Sequence, residues 1–374
     1  MSAGLHLGVY PPLTPAAALR PARSPAFPFD QPNATLTHLG RGAAFLALRA
    51  LGLGAGCRIA MPAYHCGSEV EAARLTGAEI DFYRVDAQLQ VDEDDLHRAA
   101  GSADAVYLIS HFGFPMPALP SAVPVIEDAA HGLFSAGPDG PLGSRAAAAV
   151  FCPRKSLGVP DGGALLVRDR RAAALPRRPG ARAMARSTLS LLAARAAGAR
   201  SPLLRRPAAK LIGRASRADA AAREGTLTEA VIGEWDLTVP DLEAAAGAPS
   251  RLTAHLVRRF DAEAVRRRRR DNYALLRDEL ADHAPASFRE LPPGVAPLYF
   301  PVLTGDRDAA ITRMLDGGVR ALEIWPVPHP LLDRERFAEL EPLRRGLLAL
   351  PVHQHLGRWQ MDRVLAAAKG ALSR

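Results

Sequence analysis

Six short apolar runs follow one another between residues 58 and 169: RIAMPAY, AEIDFYRVD, AVYLISHFG, VPVIEDAA, AAAVFCP and GGALLVRD. Their cores are strand length, several are rich in Val, Ile and Tyr, and turn residues bound each of them. Helical stretches such as SEVEAARLTG and VDEDDLHRAA lie between them. Strands that alternate with helices need crossover connections, so the alternation predicts an α/β fold with a mainly parallel sheet between layers of helices. Such sheets bind ligands beyond the carboxyl ends of their strands. The residues just after each run are therefore the first candidates for function.

The flanks read differently. Residues 1–36 are Pro-rich and predict an irregular arm laid over the surface. GRGAAFLALRALGLGAGC predicts a glycine turn that opens an apolar helix, ending at Gly52–Gly56. Residues 171–223 form an Arg/Ala-rich helical excursion; a solvated face is its plain reading, and contact with anionic lipid or an acidic partner is the alternative. From about 240 the pattern is helical through the Arg266–Arg270 run. It then reads strand (LYFPVLTG), helix (DAAITRMLDGG), strand-like VRALEIWP and a terminal amphipathic helix. A length of 374 residues suits one large unit, 37–244, and a smaller α/β unit, 245–374.

The net charge of +8 suggests nucleic acid, but the residue types argue otherwise. Only three of the 47 basic residues are lysines, Lys155, Lys210 and Lys369, and the rest are arginines, the skew of a GC-rich genome. The Arg-rich stretch also lacks the aromatic residues that stack on bases. No stretch approaches the roughly 18–20 apolar residues of a membrane-spanning helix. No signal-peptide core precedes the first helix, and three scattered cysteines make neither a disulfide framework nor a zinc knuckle. The expected location is cytoplasmic.

Four local features carry chemistry. Gly40-Arg41-Gly42 stands at the mouth of a helix, where free N–H groups and an arginine bind anions. Pro62 to Gly67 places Tyr64, His65 and Cys66 after a strand, where rings line a pocket or pack in the core. An apolar strand ends at Asp128, followed by His131. A buried strand-end aspartate needs a cationic partner: a structural arginine, a metal or a protonated cofactor nitrogen. Metal is disfavoured, because no second carboxylate–histidine pair lies nearby at ligand spacing. Finally, Lys155 sits between an apolar strand and a glycine-rich turn, where a desolvated amine can form an imine with a carbonyl. An anion site, a ring-stacking segment, a strand-end aspartate and a buried lysine together match what proteins contribute to pyridoxal phosphate chemistry.

In this order and spacing the chain resembles the DegT-type nucleotide-sugar aminotransferases, fold-type-I pyridoxal-phosphate-dependent enzymes. The likeness is carried by LGRGAAFLALRALG, by Glu127–His131 and by Phe151–Gly163, and resumes at PDLEAAAG and near the C-terminus. It implies that Lys155 holds the cofactor as a Schiff base and shuttles the proton. Asp128 pairs with the pyridine nitrogen, and His131 stands near the phenolic oxygen. Gly40, Arg41 and Gly42 contact the phosphate, and, because Cys66 stands at the family's aromatic position, His65 or Tyr64 supplies the ring stack. Five positions depart from the family pattern: His131 replaces a Gln, Cys66 an aromatic residue, Arg41 a Thr, Val150 a Ser, and Asp236, by a looser alignment, an Asn that reaches the partner subunit's phosphate.

The resemblance implies a homodimeric transaminase with sites shared between subunits. Glutamate is the expected amino donor and a nucleotide-linked keto-sugar the default acceptor. The alternatives are a cofactor-binding regulatory or scaffolding homologue without turnover, and a pyridoxal-phosphate-dependent sugar dehydratase. The surviving Lys155 argues against both.

Overall fold

The computed structural model describes residues 5–21, 24–116, 123–212 and 241–373. Its large sheet has seven strands: β1 Ala34–Thr37, β2 Arg58–Pro62, β3 Glu79–Tyr83, β4 Ala105–Ile109, β5 Val125–Asp128, β8 Ala148–Phe151 and β9 Gly163–Val167. Two-residue strands β6 (Ala136–Gly137) and β7 (Gly140–Pro141) form a small hairpin between β5 and β8. The sheet order is β1-β9-β8-β5-β4-β2-β3. All pairings from β3 to β8 are parallel, while β8–β9 and β9–β1 are antiparallel. Every residue of β4, β8 and β9 is buried, as strands covered on both faces require.

The helices follow the sequence pattern. A short α1 (Pro15–Leu19) lies in the arm, and α2 (Gly40–Ala50), α3 (Ser68–Thr76) and α4 (Glu93–Ala100) alternate with the strands. Helix α4 starts where the Asp92 carboxylate accepts from the Asp95 amide at 3.0 Å, and α3 stops at Gly77, whose φ of 87° a side chain would resist. The lysine segment is the one-turn helix α5 (Pro153–Ser156). The excursion contains α6 (Ala181–Ala197) and α7 (202–212). Helices α8 (Leu242–Ala245) and α9 (Arg251–Leu256) follow, then the long α10 (Ala262–Leu280). A Cβ on Gly42 would lie 2.1 Å from the Ala245 carbonyl group, so α2 meets α8 through a glycine that cannot be replaced without moving it.

The C-terminal part is built on a three-stranded antiparallel sheet, β10 (Tyr299–Leu303), β12 (Leu347–Pro351) and β11 (Leu322–Glu323), in the order β10-β12-β11. Helices α11 (Arg307–Asp316), α12 (Glu341–Gly346) and α13 (Arg358–Leu372) complete it.

Two expectations need correction. The arm is not irregular to residue 36: β1 begins at Ala34 and pairs with β9, and Leu7 bridges to Val319. Its alternating burial satisfies one face of an edge strand. The strand-like VRALEIWP pairs only at Leu322 and Glu323, because Trp325 adopts a φ of 46° and turns the chain out of the sheet. No described helix is long and apolar enough to cross a membrane.

Candidate active site

The carboxyl ends of β5 and β8, the start of α2 and strands β10 and β11 of the small sheet converge on a cavity of about 420 Å³. Gly40, Arg41, Cys66, Asp128, His131 and Lys155 all line it. Residues separated by more than a hundred positions in the chain are thus brought together because each follows a strand or opens a helix.

The centre is a lysine–histidine pair. Nζ of Lys155 lies 3.0 Å from Nε2 of His131. On the other side of the ring, the Phe112 amide donates to Nδ1 at 3.3 Å. An imidazole nitrogen that accepts carries no proton, so the ring proton sits on Nε2 and points at the lysine. Burial and the nearby Lys155 hold His131 well below the usual histidine range, which keeps it neutral. Phe112 presents its amide from a left-handed backbone conformation, φ 54° and ψ 12°, costly for a bulky residue. His131 is held flat between the Phe112 ring at 5.9 Å and the Trp325 indole at 5.6 Å.

Lys155 itself feels opposed influences. Burial lowers its proton affinity, while the Cys152 and Cys66 thiols, Tyr10 and Asp128 raise it and together prevail. Desolvation alone therefore does not set the lysine: its partners are an imidazole and acidic groups, and they hold its proton affinity above the ordinary lysine value.

Asp128 accepts from the Ala130 amide at 2.9 Å and from the Tyr107 hydroxyl at 2.8 Å. Burial raises its pKa, and Lys155, the Ala130 amide and the Tyr107 hydroxyl offset this only in part. No arginine pairs with it among the described residues, and no described group of His, Cys, Asp or Glu could hold a metal. Lys155 is the cation that acts on it, and a protonated ring nitrogen would suit the same carboxylate. The phosphate end is equally suited. Helix α2 has no side-chain cap, and the amides of Gly40 and Arg41 have no acceptor among the described residues. The Arg41 and Arg154 side chains line the same cavity. Val150 lines it too and offers no donor, so the anion would rest on amides and guanidinium groups. These residues fit pyridoxal phosphate.

The ring-stacking segment is only partly at the cavity. Tyr64 and His65 are fully buried behind its wall. The Tyr64 hydroxyl donates to the Ile324 carbonyl at 2.8 Å, and the Arg344 guanidinium lies 5.2 Å from its ring. His65 bonds to the Pro62 carbonyl through Nδ1, accepts from the His329 amide and stacks on Phe82; burial pushes its pKa down to about 3. Only Cys66 reaches the cavity. Gly42 faces α8 rather than the cavity, and Asp236 lies outside the described residues.

Other lining residues escape the sequence reading: Tyr10, Glu69, Arg154, Tyr299 and Trp325. Glu69 accepts from the Cys66 amide at 2.8 Å, and burial, then the Asp128 charge, raise its pKa to about 7. Arg154 adjoins the lysine and could have been suspected. Trp325 and Tyr299 come from the C-terminal part of the chain, and no local signal points to them.

The fold is that of the fold-type-I aminotransferases. Residues 30–188, a segment that contains every strand of the large sheet, match the DegT/DnrJ/EryC1/StrS aminotransferase family. Among solved structures, DesV of S. venezuelae shares 21% identity with a TM-score of 0.60, covering 91% of this chain and 85% of its own. The putative sugar aminotransferase Spr1654 of Streptococcus pneumoniae, in its PMP form, shares 17% at a TM-score of 0.62, covering 97% and 98%. The aminotransferase TlmJ of Streptoalloteichus hindustanus shares 20% at 0.59, covering 91% and 86%. At these identities the likeness is one of fold. No curated protein matches the chain.

Proposed function

We propose that the protein is a pyridoxal-phosphate-dependent transaminase that moves an amino group from an amino acid, glutamate by family default, to a keto acceptor. A nucleotide-linked keto-sugar is the default acceptor, and the sugar aminotransferases among the structural relatives support it. The observation that carries this reading is the Lys155–His131 contact, set in one cavity with the unpaired Asp128 carboxylate and the open N-terminus of α2.

When bound, pyridoxal phosphate would draw electrons from the carbon that bears the substrate's nitrogen. The chain's own residues do the rest. Lys155 provides the amine that holds the cofactor and afterwards the base that moves a proton at the reacting carbon. Asp128 keeps the ring nitrogen protonated. His131 donates from Nε2 toward the ring's phenolic oxygen. Gly40 and Arg41, with Arg154 beside them, bind the phosphate. Trp325, carried in from the small unit, excludes water above His131. The division into units 37–244 and 245–374 and a homodimer with shared sites belong to the same proposal.

With only three lysines, the assignment has a direct test. Borohydride reduction of the protein loaded with pyridoxal phosphate should fix the cofactor on the peptide that contains Lys155. Labelling at Lys210 or Lys369 instead, or at none, would refute it.

A further inference from the structure

Tyr10 lines the reaction cavity on one side and a second cavity, of about 410 Å³, on the other. The N-terminal arm, the excursion helices α6 and α7 and the turn between β12 and α13 enclose this annexe. His6, Arg195, His353 and His355 line it, and no carboxylate does among the described residues. The charges acting on these histidines are all cationic. Arg195, Arg269 and Arg20 bear on His355, Arg269 on His353, and Arg320 on His6.

Arg195 stands in the last turn of α6 and has no ion-pair partner among the described residues. A favourable helix dipole explains one arginine there, at about 0.3–1 kcal/mol. It does not explain three imidazoles gathered beside that arginine, which burial, reinforced by these cations, keeps uncharged. His355 is held down to about 4. With Arg195 as its one charged lining side chain and no acid among the described residues, the cavity suits an anion, and a guanidinium offers it a two-pronged contact. The facing wall is apolar, with Pro12, Leu192 and Leu204, and Leu204 remains 58% exposed.

We propose that the annexe binds a diphosphate-class anion, namely the phosphate end of the keto acceptor, whose reacting carbon would pass Tyr10 toward Lys155. The Arg-rich excursion then has a purpose: it supplies the wall and the arginine of a substrate subsite. This inference rests on the transaminase reading for the acceptor, but not for the anion.

Titration calorimetry of the full-length protein with inorganic pyrophosphate tests it. Saturable binding, weakened at least about tenfold (about 1.4 kcal/mol) in Arg195→Ala and further in Arg195→Ala with His355→Ala, is the expected result. Arg195 is exposed, so its variant should keep the wild-type melting temperature. No saturable heat, or equal affinity in all three proteins, overturns the proposal. Non-reacting UDP-glucose or dTDP-glucose should displace pyrophosphate competitively. Binding that neither displaces would assign the annexe to a free phosphorylated effector and overturn the acceptor subsite. The same wild-type sample is treated with L-glutamate. Pyrophosphate binding without a spectral response would support the anion site while the transaminase reading fails.

Discussion

Nη2 of Arg269 donates to the carbonyl of Ser156, the residue after Lys155, at 2.9 Å. Arg269 is the fourth arginine of the run Arg266–Arg270, yet only 1% of it is exposed. Its Nη1 reaches the carbonyls of Pro297 and Leu298 at 3.1 Å each, and its Nε reaches Gln354 at 3.0 Å. One side chain on α10 thus clamps the end of the lysine helix to the strand that brings Tyr299. Burial lowers its pKa to about 10, so it stays charged at neutral pH.

Replacing this clamp should be costly. Arg269→Met keeps much of the volume but leaves buried carbonyls unpaired, for a loss of about 2–5 kcal/mol in chemical denaturation. A loss below about 1 kcal/mol would show that water or a neighbour replaces the guanidinium. The same change at exposed Arg267 or Arg268 should be nearly neutral.

Asp161 fixes the other end of the lysine loop. It accepts from the Ser250 amide at 2.7 Å and hydroxyl at 2.6 Å, from His38 at 2.9 Å and from the Thr253 hydroxyl. Burial raises its pKa, but the bonds from His38, Ser250 and Thr253 outweigh burial and hold the carboxyl below its usual 3.8. The folded state therefore prefers the ionised form, and this contribution is complete above the unfolded value and lost as pH falls through the folded one. Asp161→Asn should cost about 1–3 kcal/mol at pH 7, and the gap to wild type should narrow below about pH 4. Denaturation curves at pH 7 and pH 3 with an unchanged gap would contradict this account.

His131 should act through its Nε2 proton. His131→Gln keeps a donor and should bind pyridoxal phosphate close to wild-type strength, whereas His131→Phe should lose about 1–3 kcal/mol in equilibrium dialysis. Equal affinities in the two variants would remove the hydrogen bond from the account.

Arg41→Ala tests the phosphate end. Cofactor affinity should fall by about 1–3 kcal/mol, as for the loss of a charged hydrogen bond. Unchanged affinity would place the phosphate elsewhere.

The parts of the site that were legible in the sequence are those that follow a strand. Lys155 and Asp128 each stand just after or at the end of an apolar run, and Gly40–Arg41 opens a helix, so local pattern alone marks them. Tyr64 and His65 obey the same rule and still miss the cavity, because Tyr64 packs on Trp325 and bonds to the Ile324 carbonyl while His65 stacks on Phe82, which leaves only Cys66 in front. Trp325 and Tyr299 were hidden because pairing between distant segments places them. Arg269 was hidden because its neighbours in the run are solvated; only the packing of α10 distinguishes it. The edge strand β1 is four residues long and follows a Pro-rich stretch, too little for periodicity to reveal.

The central claim is tested most directly by the absorbance of the purified protein from 300 to 500 nm, before and after L-glutamate, beside Lys155→Ala. The account predicts a visible band in the wild type that shifts to shorter wavelength with glutamate and is absent from a folded Lys155→Ala protein. A band that survives in Lys155→Ala, or no band after added pyridoxal phosphate, would contradict it.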